Sequence, residues 1–268
     1  MKTKIPHLIL AGLFGTTMAA HATLVVFETD FTGANFADEG LTNEGISGSG
    51  NWVHNSTTDR AEYDWLIRNS RAALYTTDAF QSPLITIDVS FQHDSINDAR
   101  FSIGLVESGF AESVDGDWLN SALPGAYGIG ISTAGTVANT AGGDVLALND
   151  GSTAKNNFDS ITNLSTAQGN ITDDTLQTFS MTVTADSWSY SLNGAEATTG
   201  TFAELGLDPF DMTKSYRFIT NQQATSVFTP GGGENSYFSS ITISVPEPSS
   251  TALLGLGLSS LLLRRRRS

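Results

Sequence analysis

The 268-residue chain contains no cysteine and few basic residues. The absence of cysteine excludes disulfides, cysteine nucleophiles, zinc–thiolate sites and iron–sulfur clusters. Of the 13 Lys and Arg residues, seven lie in residues 23–244, together with 27 of the 28 Asp and Glu residues, so this region carries a net charge of about −20. Such a charge repels nucleic acid and anionic surfaces, and we expect no nucleic-acid partner. A domain without disulfides depends on its hydrophobic core, and residues 23–244 are long enough to build one.

The central region also lacks a convincing amphipathic helix. Apolar and polar residues instead alternate in four stretches, Ile85–Phe91, Phe101–Leu105, Phe179–Val183 and Trp188–Leu192. A period of two is typical of strands with one buried face. Asn193-Gly194, directly after the last stretch, is a strong hairpin-turn signal. The sequence therefore predicts one all-β domain over residues 23–244, an antiparallel β-sandwich of two stacked sheets.

The N-terminus has the composition of an export signal. Lysines precede a short apolar run at residues 8–14, and Ala20 and Ala22 fit the small-residue cleavage site of a signal peptide. We therefore expect residues 1–22 to be removed after export by the Sec machinery, so that the mature chain begins at Thr23.

The last residues, 245–268, have three parts in a fixed order. Pro246, Glu247 and Pro248 form a stiff, extended segment, because each proline fixes its own φ and disfavours helix before it. An uncharged, Leu-rich run at residues 249–263 follows, and then four consecutive arginines, Arg264, Arg265, Arg266 and Arg267. A helix over this run would span about 22 Å, against a bilayer core of about 30 Å. It is predicted to be a single short transmembrane helix with the arginines on the cytoplasmic side.

This order resembles the PEP-CTERM sorting tail. The resemblance implies processing by an exosortase, a membrane-embedded transpeptidase of Gram-negative-type bacteria that make an extracellular polysaccharide. It also implies a transient stay in the inner membrane, followed by transfer to the cell surface or extracellular matrix. A buried C-terminal helix or a nucleic-acid-binding tail are the alternatives. The four arginines argue against the first, and the acidic remainder of the chain argues against the second.

The hairpin stretch has a second resemblance. Gln177–Gly194 is similar to the strand–turn–strand of concanavalin A-like (laminin-G-like) jelly rolls, and Phe238–Ser244 is similar to their last strand. The resemblance implies a jelly-roll β-sandwich. Another β-sandwich or a short β-helix would share much of the pattern.

Motifs for catalysis are incomplete. Jelly-roll glucanases carry Glu-x-Asp-x-x-Glu on one strand, so that carboxylates on one face supply nucleophile and acid. Glu28 and Asp30 begin this pattern, but Gly33 occupies the position of the last Glu. His54 and His93 have no G-x-S-x-G context nearby. We therefore predict that the protein is not an enzyme, with a divergent glycoside hydrolase or lyase as the alternative.

Two kinds of ligand contact are candidates. Trp118, and after it Trp52, are interpreted as polar-loop residues that could stack on a sugar ring, although loop tryptophans often pack inward. Asp115 and Asp117 could supply oxygen ligands to calcium, and solvated acidic loops are the alternative interpretation. No other cofactor is expected.

The sequence thus predicts an exported structural or carbohydrate-binding protein of the exopolysaccharide matrix. Ice binding is a remote alternative, which the absence of a regular Thr-x-Thr ladder disfavours. The ligand and the oligomeric state stay open.

Overall fold

A computed structural model describes residues 23–47, 51–64, 71–93, 100–109, 127–133, 145–150, 158–163, 175–223 and 236–247. These residues form fifteen β-strands and a 3₁₀ turn at Ala203–Leu205. The all-β prediction is confirmed. The strands, in chain order, are β1 (Thr23–Thr29), β2 (Leu41–Ser47), β3 (Asn51–Asn55), β4 (Arg60–Asp64), β5 (Arg71–Thr76), β6 (Leu84–Gln92), β7 (Arg100–Glu107), β8 (Tyr127–Thr133), β9 (Val145–Asp150), β10 (Phe158–Asn163), β11 (Gln177–Thr184), β12 (Ser187–Leu192), β13 (Thr198–Thr201), β14 (Tyr216–Gln223) and β15 (Tyr237–Pro246).

The strands form two antiparallel sheets. The first sheet has the order β13-β12-β11-β6-β15-β4-β3, and β1 also pairs with β15. The second sheet has the order β10-β9-β8-β7-β14-β5-β2. Inward side chains of both sheets share one core, in which Ile87 and Val183 from the first sheet and Ile103 and Ile129 from the second are fully buried. The period-two pattern produces this arrangement, since alternate side chains of a strand point to opposite faces.

The turn predicted at Asn193-Gly194 is confirmed, and the ladder between β12 and β13 ends at the pair Tyr190 and Thr198. Asn193 and Gly194 both have positive φ, 54° and 70°. The N–H of Ala195 donates to the carbonyl of Leu192 at 3.0 Å. Two central residues with positive φ define a type I′ turn, which is why Asn-Gly is favoured there.

The last strand extends beyond residue 244. Val245 and Pro246, the first two residues of the predicted tail, continue β15 and pair with Leu24 and Thr23 of β1. The compact unit that contains both sheets accordingly runs from Thr23 to Pro246.

Across the described part of the chain, no helix has the length and apolar composition needed to cross a membrane. The predicted transmembrane helix at residues 249–263 lies outside that part.

Candidate functional site

The outer face of the first sheet is covered by Ser and Thr side chains. Because Ile87, Val183 and Ile243 point into the core, their neighbours in sequence point outward. Cross-strand pairing places these outward residues in three rows: Thr199–Ser189–Thr182–Thr86–Ser244, Ser191–Ser180–Asp88–Thr242–Glu28 and Thr178–Ser90–Ser240. We call this surface the hydroxyl face.

The pairing fixes the spacing of the hydroxyl face. Neighbouring strands lie about 4.8 Å apart, and alternate residues of one strand about 6.7 Å apart. Neighbouring side chains on this face also contact each other. The Thr86 and Thr182 hydroxyls are 2.9 Å apart and form a hydrogen bond. Every residue of the three rows is Ser or Thr except Asp88 and Glu28, so the face carries two negative charges and no positive one.

A shallow groove of about 300 Å³ crosses the hydroxyl face from β12 to β15. Hydroxyl-bearing residues on all four strands line it, and Asp88 on β6 contributes a carboxylate. The hydroxyl-bearing residues are Ser90, Thr178, Ser180, Ser191, Ser240 and Thr242. Hydroxyls both donate and accept hydrogen bonds, whereas an ionised carboxylate is a strong acceptor. The groove is therefore suited to a ligand rich in hydroxyl groups.

The outward side chains of the second sheet are less accessible. Ser102 on β7 and Asn221 on β14 are register partners on its outer face, and both are fully buried. At these two positions the second sheet offers no accessible hydroxyl or amide group, in contrast to the hydroxyl face.

The interpretation of Trp52 as a loop residue is wrong. Trp52 lies in β3, is 1% exposed, and packs between Tyr63 and Phe238 with both ring centroids at 5.4 Å. It alternates with outward Asn51 and Val53, so its polar neighbours in sequence belong to the other face of the strand. A buried indole cannot stack on a sugar, so Trp52 is not a candidate ligand-binding residue.

Several other predicted site residues lie outside the described residues. These are Trp118, Asp115, Asp117, Ala20, Ala22, Pro248 and the arginines from Arg264 to Arg267. Among the residues that the structure does describe, no group of three His, Asp or Glu side chains could hold a metal ion.

The broken carboxylate pattern has a structural explanation. The N–H of Gly33 donates to the carboxylate of Glu39, which also accepts from the hydroxyl of Thr29. A Cβ atom at Gly33 would lie 2.5 Å from Glu39 Oε1, so a side chain there collides with this carboxylate. Asp30 is exposed, and its hydrogen bonds from Thr32 lower the pKa of its carboxyl. These residues form the end of a strand and a turn.

The two histidines are buried. His54 Nε2 lies 3.7 Å from Glu39 Oε1, and its ring packs edge-on against Phe36 at 5.3 Å. His54 thus joins the loop after β1 to β3. His93 is 2% exposed.

The polar positions of the hydroxyl face form a pattern in the sequence. The stretches Thr86–Ser90, Thr178–Thr182 and Ser240–Ser244 carry Ser, Thr or Asp at every second position. The alternation predicts a polar outer face on each strand, but it does not predict that these faces lie side by side. No single strand shows the array, because it runs across strands that are far apart in sequence.

Comparison with known proteins identifies the tail. Residues 244–267 match the PEP-CTERM protein-sorting motif, which confirms the predicted resemblance. The motif indicates an exported protein that is processed at the membrane and moved to the cell surface. Curated proteins gave no match.

Solved structures resemble the described fold at low sequence identity. The Emp47p carbohydrate recognition domain is 12% identical with a TM-score of 0.53, covering 82% of this chain and 96% of that one. The endo-β-1,3-glucanase of Pyrococcus furiosus is 12% identical with a TM-score of 0.53, covering 85% and 96%. The CBM2 module of the evolved Dit protein of Lactobacillus casei BL23 phage J-1 is 11% identical with a TM-score of 0.51, covering 84% and 97%. These similarities confirm the lectin-like jelly-roll fold.

Proposed function

We propose that this is an exported cell-surface protein whose β-sandwich binds a neutral polysaccharide on the hydroxyl face without cleaving it. The observation that carries the proposal is the groove lined by hydroxyls and Asp88 on four adjacent strands. The carbohydrate recognition domain and the carbohydrate-binding module among its structural neighbours support a lectin-like role.

The chemistry of the groove favours neutral sugars. An uncharged polysaccharide offers hydroxyls that can bond to Ser180, Thr242 and the Asp88 carboxylate. A polyanion would meet two carboxylates on this face and a central region of about −20 overall. Each site should bind weakly, because sugar hydroxyls exchange hydrogen bonds with water for hydrogen bonds with protein at small net gain.

The sorting tail supports a location for this binding outside the cell. Export by Sec, processing by an exosortase and release from the inner membrane would bring the domain to the exopolysaccharide matrix of a Gram-negative-type bacterium. Two further proposals accompany this function. Trp118 would stack on a sugar ring, and Asp115 and Asp117 would bind calcium.

A glycoside hydrolase is the second candidate. Asp88 and Glu28 lie in one row of the hydroxyl face, separated by Thr242. Two strand spacings put their Cα atoms about 10 Å apart, and a pair of carboxylates on one face is what an inverting glycosidase uses as acid and base. The endo-β-1,3-glucanase among the structural neighbours also keeps this candidate open.

Removing the polar groups of the groove should weaken binding. We expect the double variant Asp88→Ala/Ser180→Ala to bind the native matrix polysaccharide or a soluble neutral glucan at least about tenfold more weakly. Each lost hydrogen bond is worth roughly 1 kcal/mol, and more at a carboxylate, while 1.4 kcal/mol is a factor of ten. Affinity electrophoresis measures the change.

The matched control is Asp64→Ala/Thr57→Ala, which removes one carboxylate and one hydroxyl from exposed positions that do not line the groove. It should bind like wild type, and both double variants should keep the circular dichroism spectrum of the folded protein. Equal binding by the groove variant and wild type would place the ligand elsewhere.

A further inference from the structure

The sorting motif begins inside the folded sheet. The match starts at residue 244, whereas β15 continues to Pro246. Ser244 pairs with Thr86 of β6 on one side and with Val25 of β1 on the other. Beyond Ser244, the pairing of β15 with β6 has ended, and Val245 and Pro246 are paired with Leu24 and Thr23 of β1.

The part of β1 that covers the motif is weakly held. The register of the β1–β15 pair shifts between Val25 and Phe27, which divides β1 into two segments. Leu24, Val25 and Val26 are 45%, 48% and 38% exposed. Each of these residues is buried only in part, so their separation from β15 costs less than the opening of a fully buried strand.

The other segment of β1 is anchored. Phe27 packs against the core and lies 6.3 Å from the ring of Phe80, while Thr29 is 3% exposed and bonded to Glu39. A bulge interrupts the ladder and bends the strand. The bulge between Val25 and Phe27 is therefore the point at which the first segment can open while the rest of β1 stays in place.

We propose that Thr23–Val25 forms a clamp over the start of the sorting motif and that this clamp opens before the tail is processed. An extended peptide can be held by strand addition, through hydrogen bonds to its main chain, and the proposal takes this mode for the processing enzyme. In the closed domain, the pairing of Val245 and Pro246 with β1 covers one edge of this segment of β15. Processing that uses this edge requires β1 to leave it first.

The inference rests on the proposed processing of the tail. In that step one peptide bond of the motif breaks, and its carbonyl carbon is transferred to water or to an acceptor amine. The released tail carries the arginines and gains a proton on its new amino group. The clamp takes no part in the chemistry and controls access to the bond.

A disulfide across the clamp tests the inference, because the chain has no native cysteine. Leu24 and Val245 are directly opposed. Opposed Cα atoms in antiparallel pairs are about 4.5–5.5 Å apart, within the roughly 4.4–6.8 Å that disulfides need. The full-length Leu24→Cys/Val245→Cys variant is expressed in a host with the processing enzyme, and intact mass reports whether Arg264–Arg267 have been removed.

We expect wild type to lose the arginines, the oxidised clamp variant to keep them, and added reductant to restore their loss. The control is Asn51→Cys/Asp64→Cys, an opposed and exposed pair on β3 and β4 that should be processed like wild type. The Val25→Pro variant tests the opposite change. Proline has no backbone N–H and should weaken the pairing of β1 with β15, so we expect processing at least as fast as in wild type.

The outcomes separate the two proposals. If the oxidised clamp variant is processed at the wild-type rate, or if Val25→Pro slows processing, the clamp inference is overturned and the sorting proposal stands. If wild-type protein keeps its arginines, the sorting proposal fails and the clamp inference fails with it.

Discussion

Replacing Val183 by Asp should prevent the domain from folding. Val183 is fully buried on β11, opposite Ile85 of β6 and Trp188 of β12, in the shared core of both sheets. An unpaired carboxylate there has no hydrogen-bonding partner in its apolar surroundings and costs several kcal/mol. A domain is typically stable by about 5–15 kcal/mol in total. Circular dichroism and urea unfolding should show a variant that is largely unfolded or strongly destabilised.

The adjacent residue provides the control. Thr182 directly precedes Val183 in β11, but its side chain lies on the opposite face of the sheet, the hydroxyl face. Thr182→Asp introduces the same carboxylate into solvent and loses only the hydroxyl contact with Thr86. It should keep the β-type spectrum. Two variants of equal stability would contradict the assignment of the two faces of β11.

The second large effect is expected at a pair of glycines in the second sheet. Gly104 on β7 and Gly130 on β8 are directly opposed, and both are buried. A Cβ atom at Gly104 would lie 2.3 Å from the carbonyl oxygen of Ile129 and 2.6 Å from the Cα of Gly130. These are backbone atoms, so the two strands must separate to accept even Ala. Gly104→Ala should therefore cost at least the roughly 1–3 kcal/mol of an overpacked core.

Gly109 is the matched control for this substitution. It lies just after β7, has no positive φ, and a Cβ atom there would meet nothing within 4 Å. Gly109→Ala should change the free energy of unfolding by less than about 0.5 kcal/mol. Chemical denaturation of both variants measures the difference. A Gly104→Ala variant as stable as Gly109→Ala would show that β7 and β8 do not approach each other as described.

The central strands could be predicted because their apolar residues alternate. The alternation of Ile85, Ile87, Val89 and Phe91 indicates β6, and the same pattern indicates β7, β11 and β12. Shorter strands could not be predicted from alternation of apolar residues. β13, with the sequence TTGT, has no apolar side chain, and its Gly200 is needed because a Cβ atom there would lie 2.5 Å from Trp188 Cζ2.

Strand β3 shows why the candidate site was less predictable than the fold. Its sequence NWVHN contains a polar residue at each end, which suggested a loop and an exposed Trp52. In the sheet, Trp52 and His54 both point inward, and the outward residues supply the polar character. Whether an aromatic side chain is exposed depends on what packs against it from distant strands, here Tyr63 and Phe238. The hydroxyl face likewise exists only after β6, β11, β12 and β15 have come together.

The most direct test of the proposed function is an NMR titration of the labelled ectodomain, residues 23–246, with a neutral oligosaccharide. We predict that the largest shifts belong to Asp88, Ser180 and Thr242, which line the groove of the hydroxyl face, and that no new reducing-end anomeric signals appear in the sugar spectrum during the incubation. Shifts confined to other surfaces would contradict the assignment of the binding site. Growing reducing-end signals would contradict binding without cleavage and favour the hydrolase.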